Sequence, residues 1–324
     1  MPMPDRASWF ERVDITKYSV KKMITVPLLI LLLSLALLTY TQLTIDSPVR
    51  LGMDFKGGII VTILTDETKD ELTARFAAYP IASIRDTGGA NEKSIEFGPM
   101  SESQKDALIT MLKDGYGSYE LRDISPLFGQ ELQRQVVSAV IIAFMLMAIV
   151  VFVAFRTVIP SFAVILSAFS DIVIPVACMD ILKMELSLGT VAALLMLIGY
   201  SVDSDILLTT NLLRKKGETT DKLRGALKTG LTMTSTTLVA VFAMFLVSSS
   251  LHLFSSHFAP IPILRDIALV LLFGLTADLM NTWLLNAGLL RWYVEGKERK
   301  KYGKRGVERG VEKRKEGKRR KTSI

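Results

Sequence analysis

From Gly189 to Lys216 the chain reads GTVAALLMLIGYSVDSDILLTTNLLRKK, an apolar run with two carboxylates, Asp203 and Asp205, in its second half and three cations at its end. Placing a charge near a bilayer centre costs from about 3 to well over 10 kcal/mol, so such side chains usually face a bundle interior and mark function. Two of them in one and a half turns predict the working helix of a membrane machine gated around protonatable groups. The bland alternative is structural, with both acids bonded to Ser201, Ser204, Thr209 or a neighbouring helix.

The rest of the chain agrees with a membrane setting. About 20 apolar residues cross ~30 Å of hydrocarbon, and six runs reach that length: Met23 to Ile45, Val136 to Phe155, Val158 to Leu182, Ser187 to Leu213, Gly230 to Leu251 and Ile263 to Leu290. In lipid a spanning segment must satisfy its own backbone, so all six are expected to be helices. Half of the residues are apolar and mean hydropathy is +0.37, which excludes an ordinary soluble domain. The first run is too long for a cleavable signal, and no small-residue cleavage site follows it.

Charge sets the orientation. Basic residues crowd the N-terminal arm, Arg156, the loop from Arg214 to Lys228 and the tail from Arg291, while the alternate connections carry few. Six spans with both termini cytoplasmic satisfy the positive-inside rule at every loop. The expected divisions are a cytoplasmic arm (1–22), the first span (23–45), an extracytoplasmic domain (46–133), a five-helix membrane unit (134–290) and a basic tail (291–324). In the arm, Trp9, Phe10, Val13 and Tyr18 among cations suit a short interfacial helix. The lone cysteine, Cys178, lies in the third span and says nothing of redox compartment.

Between the first two spans the periodicity changes. A strand from Gly58 to Leu64 precedes a helix opening near Thr65 or Asp66 and running to Tyr79, then strands from Pro80 to Asp86 and Ser94 to Phe97 around a Gly-Gly turn. A helix capped by Ser101, with Gln104 in capping-box register, and a strand from Ser118 to Ile124 complete the segment. This β-α-β-β-α-β order predicts a ferredoxin-like α+β domain on a polytopic α-helical membrane protein of six transmembrane helices. Ahead of it stands LGMDFKGG, where Gly57 and Gly58 suit a bend into the first strand and Asp54 an anchor, so Asp54, Gly57 and Gly58 form the expected domain hinge.

Other intramembrane polar groups qualify the reading. Asp171 in the third span joins either a proton relay with Asp203 and Asp205 or a hydrogen-bonded structural network. Asp278, with Asn281 near it, suits a structural role in the sixth span. The fifth span opens GLTMTSTTL, and Thr232, Thr234, Ser235 and Thr236 are expected to pack against the fourth helix, with Ser201 orienting the carboxylates from within it. Asp180, Lys183 and Glu185 read as solvated hairpin residues. His252 and His257, alone in a loop, make a poor metal site. No cofactor is implied, and no nucleophile and base, zinc motif or phosphate loop points to an enzyme. The tail beyond Leu290 is basic and without apolar period, and two uses fit it: anionic lipid headgroups and ribosomal RNA.

LGMDFKGG after the first span, a small outer domain, and GYSVDSDILLTTN in the fourth of six spans together resemble the SecD/SecF family of protein-export membrane proteins, in its archaeal SecF branch, over nearly the whole chain to Trp292. The resemblance implies a partnership with SecD in a twelve-span assembly of the resistance-nodulation-division superfamily. That assembly assists the SecYE-type translocation channel, and its outer domains engage secreted polypeptides. It also implies that Gly199, Val202 and Asp203 match the superfamily's Gly-x-x-Val-Asp pattern, which puts Asp203 first and Asp205 second as proton carriers. Bacterial relatives open the fifth span with an Arg, and here the matching position is Gly230. Two rival readings use the same residues: half of a proton-driven small-molecule or lipid exporter, and a non-transducing scaffold for the channel.

Overall fold

In the computed structural model, α1 (Val20–Ile45) leads into a small domain that lies outside the helix bundle and is called the outer domain for that reason alone, and five further long helices come after it in sequence. The structure describes residues 18–45, 47–87, 91–215, 217–254 and 261–297, without the side chains of 250–254. The readings of the N-terminal arm before Tyr18, of the basic tail beyond 297 and of the connection holding His257 lie outside these residues.

The outer domain is a four-stranded antiparallel sheet with two helices. A short turn, α2 (Met53–Lys56), leads into β1 (Gly58–Leu64), α3 (Lys69–Arg75), β2 (Ile81–Asp86), β3 (Glu92–Phe97), α4 (Glu102–Gly115) and β4 (Tyr119–Ile124). The strands lie in the order β2-β3-β1-β4. Alternation in β1 sends Ile59, Val61 and Ile63 to one face, where they meet Leu72 and Phe76 from the first helix and Leu108 and Leu112 from the second. Both helices start at capping boxes, Thr68 with Glu71 and Ser101 with Gln104. The first helix starts later than the expected Thr65 or Asp66, because the Thr65 amide stays in the sheet and donates to the Asn91 carbonyl at 2.7 Å.

Beyond β4 the chain passes directly into α5 (Pro126–Phe155), then α6 (Val158–Ile181), α7 (Leu188–Arg214), α8 (Thr219–Phe254) and α9 (Pro262–Met280). Among the described residues, five helices are long and apolar enough to cross a membrane: α1, α5, α6, α7 and most of α8. The helix from Pro262 is not among them, since its 19 residues include Arg265, Asp266 and Asp278. It continues through a π-helical stretch, Asn281–Asn286, into a last helical segment at 287–297. The apolar windows of α6 and α7 are 61% and 56% buried, against 11% for α5 and α8, so α6 and α7 form the centre of the bundle.

The segment preceding β1 is fastened on two sides. The Gly52 amide donates to the Leu186 carbonyl at 2.8 Å, and the Leu186 amide returns a bond to Arg50 at 2.7 Å. Asp54 Oδ2 accepts from the Leu188 amide at 3.0 Å and so covers the start of α7. On the other side Gln133 Nε2 of α5 donates to the Phe55 carbonyl at 2.8 Å. The bend falls at Gly57 and Gly58, with φ of 74° and 143°, where a side chain on Gly58 would strike the Phe97 carbonyl. Asp180, read as solvated, is instead only 7% exposed beside Arg50 and accepts a hydrogen bond from Thr41 of α1. Glu185 faces Arg85 of β2 at 3.4 Å.

Candidate intramembrane site

Three helices each bring one carboxyl to the middle of the bundle: Asp171 from α6, Asp205 from α7 and Asp278 from α9, all at most 1% exposed. Neutral donors surround them. Asp171 accepts from Ser201 Oγ and from Asn281 Nδ2, both at 2.6 Å. Asp205 Oδ1 accepts from Asn286 Nδ2 at 2.7 Å and from Thr282 Oγ1 at 3.0 Å. The same Thr282 hydroxyl lies 3.1 Å from Asp278 Oδ1. One hydroxyl has one hydrogen to give, so Thr282 serves one of these two acids at a time.

The π-helical stretch makes this possible. Asn281, Thr282 and Asn286 all belong to it and are all fully buried. A widened turn inside an α-helix shifts the register of the residues after it, and such turns occur frequently at functional sites. Together with Asp278 they stand at spacings of three, four and eight residues, the signature of a single helix face. That spacing was available in the sequence. Thr282 and Asn286 escaped notice because an isolated Thr or Asn in a span reads as packing.

The structure separates the two acids of the fourth span. Asp205 faces the interior, whereas Asp203 is exposed, on an outward stripe with Leu188, Ala192, Met196 and Gly199. Residues two apart lie about 200° apart around a helix, so a single helix face cannot present both. Within this chain, then, Asp205 lies in the interior with Asp171, and Asp203 faces outward. The hydroxyl face of α8 is divided in the same way. Thr234 is buried at 1% exposure, but Thr232, Ser235 and Thr236 are exposed, and Thr236 bonds back to carbonyls of its own helix. Ser201 donates to Asp171.

No arginine could replace Gly230 without repacking. A side chain there would run into the indole of Trp283, which closes over this glycine from the π-helical stretch. Asp54, Gly57 and Gly58 sit together at the outer junction, away from the carboxyl cluster.

Fold and cluster together define a polytopic helical membrane protein with an acidic, amide-lined heart and a small outer domain. Residues 104–296 match the family model described as protein export membrane protein SecD/SecF, C-terminal. The protein-export membrane protein SecF of Methanolacinia petrolearia is 47% identical over 282 residues, covering 87% of this chain and 96% of its own length. Its counterparts in Haloferax volcanii and Pyrococcus furiosus are 43% and 39% identical, covering 87% and 86% of this chain and 95% and 93% of their own. The chain belongs to the SecF family. The crystal structure of SecDF, a translocon-associated membrane protein from Thermus thermophilus, shares the fold with a TM-score of 0.63 at 21% identity over 85% of this chain; the chain spans 38% of that protein's length.

Proposed function

We propose that the chain is an accessory subunit of the Sec protein-export apparatus, acting with SecD beside a SecYE-type channel to move polypeptides across the cytoplasmic membrane. The observation that carries this is the near end-to-end match to protein-export SecF proteins. In this reading the protein crosses the membrane six times with both termini in the cytoplasm. The helix that begins at Pro262 is the sixth span, made tolerable in lipid by the polar partners its acid finds inside the bundle. The four-stranded domain is ferredoxin-like, stands outside, and meets the secreted chain; the junction at Asp54, Gly57 and Gly58 carries its movement into the bundle. SecD covers the outward stripe of α7, including Asp203, and the exposed small-residue face of α8 with Ser235 and Thr236. Such faces let helices approach closely and give an otherwise lipid-facing carboxylate a partner. Lipid headgroups and the ribosome are the surfaces open to the basic tail.

Export is coupled to the proton gradient through Asp205 and Asp171, with Ser201 and Thr234 shaping their surroundings. The Thr282 hydroxyl supports the part of Asp205, because it is shared with Asp278 and can pass from one acid to the other when a proton arrives or leaves. Substituting Asp205→Asn tests it: export in a strain carrying the variant falls at least tenfold while co-purification with SecD is unchanged. A loss of assembly, or unchanged export, would favour the scaffold role instead. Crosslinking from the outer domain to a secreted chain arrested in passage tests the contact with substrate.

A further inference from the structure

The carboxyl layer lies between two apolar plugs. Both α7 and α9 begin at the end of the bundle nearest the outer domain, where Gly189 packs against Ile263 and Ile267, and they run side by side to Asp205 and Asp278. On that side of the acids Met179, Ala193, Leu194, Leu197, Leu271 and Leu275 form one buried apolar cluster. On the far side, towards the end where α1 starts, Leu208, Leu212, Leu223, Leu227, Trp283 and Leu290 form another. Closed apolar layers of this kind shut a pathway by keeping water out.

Each plug contains one side chain that sits on bare backbone. Leu197 of α7 packs on Gly274 of α9 so closely that a methyl group on the glycine would overlap it. Trp283, in the π-helical stretch, packs on Gly230 of α8 in the same way. The two knobs are 1% and 4% exposed, and both glycine seats are buried. A glycine seat presents no side chain that would interlock with its knob, so the contact depends on close approach of the helices alone. One continuous helix supplies a partner to each pair: Gly274 stands one turn before Asp278, and Trp283 directly follows Thr282. A shift of that helix which re-seats Thr282 between its two acids therefore acts on both contacts at once.

We infer that Leu197 on Gly274 and Trp283 on Gly230 are two gates to the carboxyl cluster, the first from the outer-domain side and the second from the opposite side, both closed in this structure. The inference rests on the proton-coupled reading of the cluster and adds the route to it. A group that loads from one side and discharges to the other needs each side opened in turn, and gating of helices around a fixed site is how transporters achieve this. Access to the cluster is measured without export, so the gates can fail with coupling intact and coupling can fail with the gates intact.

The test introduces Ser204→Cys as a reporter in the full chain, with Cys178, the chain's one cysteine, changed to Ser. Ser204 is 7% exposed and lies beside Asp278. Sealed right-side-out and inverted membrane vesicles are treated with a charged, membrane-impermeant methanethiosulfonate, and the rate of thiol modification is followed. The parent should react slowly in both orientations. Gly230→Ala, whose methyl unseats Trp283, should react at least tenfold faster from the side opposite the outer domain and no faster from the other. Gly274→Ala, which unseats Leu197, should do the reverse, and Trp283→Ala and Leu197→Ala should each follow their glycine. Alanine suits a helix better than glycine, so the two glycine variants decide the matter should Trp283→Ala fail to fold. Rates equal to the parent's in both glycine variants would overturn the inference, as would acceleration from both sides alike.

Discussion

The two interiors of this protein are built on opposite plans. Under the outer sheet, Phe76, Phe97, Tyr79 and Tyr116 pack ring against ring over a floor of Ile59, Val61 and Ile95. Its charges lie at the surface in pairs such as Lys69 with Asp86 and Arg75 with Glu67. In the membrane bundle the carboxyls and amides are at the centre, and large apolar side chains such as Leu32, Val153 and Phe162 face outward. Water drives the first arrangement, because burying apolar area there is worth about 25 cal/mol per Å². Lipid removes that drive between helices, so contact rests on shape and on hydrogen bonds among groups that hydrocarbon would leave unpaired.

The sharpest way to break this contrast is at the aromatic core. Phe76→Ala should destabilise the outer domain by about 3–5 kcal/mol. Hydrogen exchange should then accelerate across β1 to β4 while amides of α6 and α7 stay protected; equal loss in both would make the two interiors one cooperative unit. Next in size is the polar centre. Asn281→Ala strips one of the two donors from Asp171 and should cost about 1–3 kcal/mol, seen as a lower thermal midpoint in detergent. The double change Asp171→Leu with Asn281→Leu should recover most of that loss, because a buried polar pair is often replaceable by apolar groups of similar volume. If it does not, the polar centre holds the bundle together as the aromatic core holds the sheet.

Smaller effects belong to the surface of the outer domain. Thr68→Ala removes a cap and should cost about 1 kcal/mol, with faster exchange confined to α3. The Lys69 ammonium beside Asp86 holds that carboxyl below its ordinary value of 3.8, burial opposing it slightly. A carboxyl so shifted adds stability above the ordinary value and loses it as pH falls through the lower folded one. Lys69→Met should therefore leave stability near neutrality lower by under about 1 kcal/mol, since the pair is exposed. It should also bring the acid unfolding of the domain to a slightly higher pH.

The contrast also explains what could be read in advance. In the outer domain alternation and capping residues carry the fold, because each polar or apolar choice reports which side faces water. Ser101 with Gln104 is an example; the bounds that moved most are those of α3, which starts late where Thr65 remains tied to the sheet and ends at Arg75 rather than Tyr79, and of β3, which begins at Glu92 rather than Ser94. In the membrane helices the same code is nearly silent, since apolar residues cover both the packed and the lipid-facing sides. Asp203 and Asp205 are chemically identical in the sequence, and nothing in their own helix says which one turns inward. Ser235 and Thr236 are small enough to pack closely, but what they pack against is not fixed by this chain. The partners of Asp205 lie 77 and 81 residues away, beyond the reach of any local pattern.

The short turn before β1 has a mechanical corollary. It is bonded to the 186–188 segment by Gly52 and Asp54 and to α5 through Phe55, and it bends into the sheet at Gly57 and Gly58. The tie to Leu188 fastens the turn at the start of α7, roughly 26 Å along that helix from Asp205 at 1.5 Å per residue. The bend at Gly57 and Gly58 is then the point where the sheet can swing, and the tied segment before it is the lever's fixed end against α7 and α5.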